Sequence, residues 1–101
     1  MKAARVDANQ REVVEALRKA GCSVQSLASM GGGVPDLLVY SPYSKTLWLL
    51  EVKDGNKPPS QRKLTEAQVE WHKNWLGKVH IVCNAEDALW TVWATRRWEV
   101  E

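Results

Sequence analysis

The spacing of apolar residues changes several times along this chain. Between residues 6 and 20, Val6, Val13 and Leu17 fall on one helical stripe, Ala16 and Ala20 border it, and Gly21 stops it. That spacing predicts a first helix. Residues 23–27 read as a short strand. Residues 30–34, with Gly31, Gly32 and Gly33 in a row, read as a flexible turn. A strand is predicted over 36–40, followed by a turn at Ser41-Pro42-Tyr43-Ser44. The longest predicted strand is 46–53. Its Leu47, Trp48, Leu49 and Leu50 are all apolar, so both faces are expected to be covered, as in a central strand of a mixed sheet. After a polar loop over 54–63, Thr65 opens a second helix. Gln68 stands three positions later, as a capping box requires, and the helix is expected to reach about Trp75, with Gly77 ending it. A buried strand follows at 79–83. Asn84 caps a last helix through about Trp93, while 96–101 read ambiguously. The order α-β-β-β-α-β-α implies an α/β fold, a mixed sheet with helices against both faces.

Composition narrows the class. At 101 residues the chain is expected to form a single domain over 1–101, and 45% hydrophobic residues allow a modest core. Six Trp and no Phe suggest that a few large side chains do much of the filling. The net charge of +2 neither demands nor excludes nucleic acid. Its distribution says more, because Lys53, Lys57, Arg62 and Lys63 crowd into one short stretch. That stretch is either a solvated loop or a track for a phosphate backbone, and charge alone weighs the two evenly. Cys22 and Cys83 form no CxxC pattern and adjoin apolar segments, which fits free thiols in a reduced, intracellular (cytoplasmic) protein. No stretch resembles a signal peptide or a membrane span, so no membrane partner is expected.

The candidate chemistry lies in the middle. Val34-Pro35-Asp36 precedes the strand that ends in Glu51-Val52-Lys53. Successive strand side chains alternate, so Glu51 and Lys53 share a face. Two carboxylates can hold a hard divalent cation, and a lysine beside them can hold a water or a phosphate. That set suits metal-dependent cleavage of a phosphodiester, provided that Asp36 comes next to Glu51. A bare aspartate upstream of an ExK is often accidental surface charge. Here the two pieces sit on adjacent predicted strands, and the acid and lysine end an otherwise apolar run.

Two glutamines add to this. Gln10 belongs to the stripe of Val6, Val13 and Leu17, and Gln68 to the stripe of Leu64, Trp71 and Trp75. An amide inside an apolar stripe needs hydrogen-bond partners. For Gln68 the plainer explanation is the capping box; for Gln10 it is an exposed first turn. Together they favour a polar site between the helices and the strand ends. His72 and His80 read as structural. No zinc spacing, Walker loop or triad around Ser60 is present in the sequence.

With these residues in view, the chain resembles the VRR-NUC branch of the PD-(D/E)XK nuclease superfamily, a branch found in phage and bacterial replication-associated proteins. The resemblance runs through Asn9-Gln10, Glu12-Val13-Val14, Leu17-Arg18 and Gly21; through Gly31 to Leu38; through Leu50-Glu51-Val52-Lys53-Asp54-Gly55; and through Leu64-Thr65, Gln68 and Trp71-His72. Archaeal Holliday-junction resolvases are similar in layout. The resemblance implies a restriction-endonuclease-like αβββαβ core around Mg²⁺ or Mn²⁺, plus the C-terminal helix. Asp36 and Glu51 would be metal ligands, with the Val52 carbonyl as a third. Lys53 would position the attacking water and offset charge, and Gln68 would support the site. The resolvases carry a glutamate where Gln10 stands. A glutamine adds no charge to a metal but can accept a hydrogen bond from a water. Glu12 or Asp7 could take that role if the helix is rotated.

The resulting expectation is a structure-selective DNA endonuclease acting on branched DNA such as a four-way junction. Lys57, Arg62 and Lys63 are the expected DNA contacts, and Gly32 and Gly33 would let a strand approach. A homodimer would match the junction's two-fold symmetry. Val69 and Leu76, opposite the Leu64-Trp71-Trp75 stripe, and Trp98 and Val100 in the tail would supply the interface. The rivals are an inactive nucleic-acid-binding module, a general or restriction-type nuclease, and an ordinary small α/β protein whose acids are surface charges.

Overall fold

The computed structural model describes residues 8–94. The expectations placed on Val6, Asp7, Trp98, Val100 and the rest of 96–101 lie outside them. The elements are α1 (Ala8–Lys19), β1 (Ser23–Ser26), β2 (Leu37–Ser41), β3 (Thr46–Val52), α2 (Glu66–Asn74), β4 (His80–Val82) and α3 (Ala85–Trp93), with short 3₁₀ turns at Ala28–Met30 and Pro59–Gln61. Gly21 does stop the first helix. It adopts φ +97°, and Cys22 N–H reaches back to the Leu17 carbonyl, closing a glycine-dependent helix end. Asn84 caps α3 through its side chain, which accepts from Asp87 N–H.

The four strands form one mixed sheet in the order β1-β2-β3-β4. The first two pairings are antiparallel, and β3 pairs parallel with β4. A parallel neighbour requires a crossover, and the segment carrying α2 supplies it. The register pairs Leu37 with Leu50 and Val39 with Trp48, which puts these residues on one face. Against them pack Val13 and Leu17 of α1 and Ala88 and Val92 of α3, all buried. This is the core.

The other face of the sheet carries Leu38 opposite Leu49, Tyr40 opposite Leu47, and Glu51 opposite Ile81. α2 lies over only the Glu51 end of it. Full cover of 46–53 was expected from four consecutive apolar residues, and here the structure differs. Leu47 is 65% exposed, because α2 has only nine residues and stops short of it.

The tryptophans also differ from expectation. Trp48 alone among the described ones is buried, while Trp75, Trp90 and Trp93 are exposed. The core is filled mainly by Val, Leu and Ala instead. The glycine turn is more specific than a mobile link. Gly33 has φ +85°, and a methyl group there would collide with the Ala67 carbonyl, so this glycine lets the chain pass against the start of α2. Gly32 has open space beside it.

Candidate active site

Strand ends make the site. β2 begins at Leu37 and β3 ends at Val52, so Asp36 and Lys53 each lie just outside the ladder, where side chains can converge on Glu51. Asp36 Oδ2 accepts a hydrogen bond of 2.8 Å from Val52 N–H, which ties the first acid to the backbone between the second acid and the lysine. Lys53 Nζ lies 3.9 Å from Glu51 Oε2, as the shared strand face requires.

Gln68 joins the two. Its Oε1 accepts from Lys53 Nζ at 2.9 Å, and its Nε2 donates to Glu51 Oε2 at 2.8 Å. The same Oε1 accepts from Thr65 N–H at 2.8 Å, and Thr65 Oγ1 accepts from Gln68 N–H at 3.2 Å. The capping box is therefore real, and its glutamine is also part of the polar cluster. Its partners explain why an amide sits in the apolar stripe of α2.

Glu51 is the unusual group. It is 1% exposed, and its carboxyl is pushed up to about 8. Burial is the main cause, the Asp36 carboxylate adds to it, and Lys53 pulls the other way. Among the described residues, Glu51 Oε1 and His72 Nε2 are buried polar side-chain atoms without a hydrogen-bond partner. A buried carboxyl beside Asp36, with one oxygen lacking a partner, is a place where a bound cation could replace the proton that burial favours.

The donors fit a hard divalent cation. Asp36, Glu51 and the Val52 carbonyl are all oxygen ligands, which suits Mg²⁺ or Mn²⁺ rather than a thiolate-seeking metal. Val52 N–H points to Asp36, away from β4, while Lys53 N–H bonds the Val82 carbonyl of β4. On a strand, the carbonyl of a residue leaves on the same side as its N–H, so the Val52 carbonyl points towards Asp36 as well. No group of three or more His, Cys, Asp or Glu able to hold a metal occurs among the described residues. Water would complete the shell, as Mg²⁺ commonly keeps several.

The remaining expected residues are placed less centrally. Gln10 is half-buried on α1, and Glu12 is exposed. Lys57 and Lys63 are exposed, whereas Arg62 Nε donates to the Lys57 carbonyl at 2.8 Å and so helps to close the 54–63 loop. His80 packs edge-on against Trp48, as a structural histidine would. Both cysteines are free thiols. Among the described residues no helix is long and apolar enough to cross a membrane.

One residue was missed. Asn9 Nδ2 donates to the Lys53 carbonyl at 3.1 Å and to the Cys83 carbonyl at 3.2 Å. It thereby clamps the ends of β3 and β4 where their ladder stops. The available signal was an asparagine inside a helix, a position where that residue is a poor helix former.

A solved structure described as a VRR_NUC domain is similar to this chain. The two are 26% identical and superpose with a TM-score of 0.58, over 82% of this chain and 88% of that one. No family model and no curated protein sequence matches the chain. The likeness to that domain supports a nuclease-type fold of the VRR-NUC kind, a mixed four-stranded sheet flanked by helices.

Proposed function

We propose that this chain is a Mg²⁺- or Mn²⁺-dependent DNA endonuclease of the phage or bacterial stand-alone type within the PD-(D/E)XK superfamily. It cuts branched DNA such as four-way junctions, as an intracellular homodimer. The observation that carries the reading is the convergence of Asp36, Glu51 and Lys53 on one strand end, with a buried Glu51 oxygen left unsatisfied.

The residues divide the work. Asp36, Glu51 and the Val52 carbonyl would hold the cation. When bound, it would neutralise phosphate charge and make a water more acidic. Lys53 Nζ, held by Gln68 Oε1, offsets the negative charge that grows on the phosphate. Gln68 Nε2 holds Glu51 Oε2, which leaves Glu51 Oε1 as the oxygen that would bind the cation. Hydrolysis adds a water oxygen to phosphorus opposite the leaving strand oxygen, which departs with a proton. Gln10, with Glu12 and Asp7 as alternatives, would hydrogen-bond water near the cation. Lys57, Arg62, Lys63 and the open side of Gly32 would follow the DNA backbone.

A small domain has little surface for reading bases, which favours selection by DNA shape. The exposed Val69 and Leu76, at 51% and 104%, supply apolar area for a two-fold partner. The test is cleavage of labelled four-way junction, flap, duplex and single strand with Mg²⁺ or Mn²⁺, alongside light scattering. The expected result is a dimer that cuts the junction fastest and stops in EDTA. No cleavage of any substrate would remove the enzymatic reading. A monomer that cuts duplex as fast as a junction would leave a general nuclease.

A further inference from the structure

The uncovered face of the sheet carries a groove beside the site, lined by Val34 and Leu38, which flank Asp36 in sequence, and by Leu49 near Glu51. Trp71 of α2 and Trp75, the residue that follows the helix, form one wall, and their rings stack with centroids 4.7 Å apart and planes 20° from parallel. Leu38, Leu47 and Leu49 form the floor, and Met30 closes one side, around a cavity of about 580 Å³. That volume lies within the range of about 300–1,000 Å³ usual for small organic ligands.

Two alternations connect the groove to the acids. Leu49 stands two residues before Glu51 on the same face of β3, roughly 7 Å along the strand. Gln68, which holds Lys53 and Glu51, stands one turn before Trp71 on α2, and Trp75 follows the helix end. The aliphatic side chains Leu38 and Leu49 of the groove are thus sequence neighbours of the acids on the same sheet face.

We propose that this groove binds an unpaired nucleobase of the strand whose phosphate lies at Asp36, Glu51 and Lys53. The inference rests on the nuclease reading, which sets where the strand enters. Apolar walls with aromatic faces suit a flat heteroaromatic ring and not a phosphate. Among the described residues its lining contains no carboxylate, and the charged member is Lys78, which complements the adjoining backbone charge. A paired base is stacked on both sides and cannot offer its face to Trp75, so the occupant is a base freed from its pair. Flaps, single-stranded overhangs and frayed branch points provide such bases. A second copy of the chain seated here would lie across the strand's path.

The test uses the full chain in EDTA and the anisotropy of dye-labelled oligonucleotides. The probes are a short single strand, a strand of equal length with abasic sugars, and a blunt duplex. The base-bearing strand is expected to bind about tenfold more tightly than the abasic strand. Trp75→Ala should erase that difference. Leu47→Gln, at the exposed edge of the groove, should reduce it, and serves if Trp75→Ala does not fold. Equal binding of the two single strands by the unaltered protein would overturn the inference, and so would a difference that survives in folded Trp75→Ala. A dimer that becomes monomeric in Trp75→Ala would assign the groove to a second copy and overturn it as well. Cleavage with Mn²⁺ is read separately. Discrimination of bases without cleavage removes the nuclease reading and leaves the groove; cleavage without discrimination removes the groove alone.

Discussion

Lys53 Nζ donates to Gln68 Oε1 at 2.9 Å, and that same oxygen closes the N-terminal cap of α2 by accepting from Thr65 N–H. One amide thus joins the folding of a helix to the placement of a reactive lysine. Any shift of α2 moves Lys53 and Glu51 together.

The two roles separate by mutation. Thr65→Ala removes the hydroxyl half of the cap and should cost about 1 kcal/mol of stability, with cleavage nearly unchanged. Gln68→Ala removes the cap partner and the bridge, and should lower cleavage by at least about tenfold for a similar loss of stability. Thermal melts and single-turnover rates on the two variants give the comparison. Equal loss of activity in both would mean that Gln68 acts only through the helix.

Asp36→Ala, Glu51→Ala and Lys53→Ala are each expected to reduce cleavage by about a hundredfold or more while the protein still folds. Asp36→Ala should also destabilise by about 1–3 kcal/mol, since it strands the Val52 N–H that Asp36 Oδ2 now accepts from. Cleavage rates, calorimetric titration with Mn²⁺ and circular dichroism of all three are the checks. Full activity in any one removes that residue from the mechanism.

Without metal, stability should fall as pH rises. Glu51 is pushed up to about 8 in the folded protein, against about 4.3 for a free glutamate. Between these values the native state holds a proton that the unfolded state has released, so unfolding becomes easier with rising pH. The contribution is complete below the unfolded value and is lost as pH passes through about 8. Melting temperatures in EDTA from about pH 5 to about pH 9 should therefore decline, and Glu51→Gln should flatten that decline. An unchanged slope in Glu51→Gln would rule out the buried proton.

Asn9→Ala should act at a distance. It removes two hydrogen bonds to the Lys53 and Cys83 carbonyls, each worth about 1 kcal/mol. With the β3 end freed, Lys53 is less well placed, so turnover should fall more than substrate affinity. Asn9→Asp, which loses the N–H donors and brings a charge to two carbonyls, should be worse. A variant that loses stability but keeps its turnover would restrict Asn9 to a structural clamp.

Local pattern made much of this legible. The alternation along a strand puts Glu51 and Lys53 on one face from sequence alone, and the lysine-to-glutamate distance agrees. The three-residue spacing of Thr65 and Gln68 announced a cap that is present. The spacing of Val13 and Leu17 marked a helix face that is buried. In each case the relevant neighbours are within a few residues, and backbone geometry fixes their relative directions.

Tertiary structure decided the rest. Leu47 and Leu49 read as buried on both sides, yet α2 covers only one end of their face. Whether a stripe is buried depends on what packs against it, so Trp75 reads as part of an apolar stripe in sequence and stands exposed. Asn9 gave little sign of its partners because Lys53 and Cys83 lie 44 and 74 positions away. The sequence by itself determined which way each side chain points from its own helix or strand, a consequence of the 3.6 and 2.0 periods. Which distant element meets that side chain was decided only when the sheet closed and the strand ends came together, because those contacts arise from packing between segments that no local period relates.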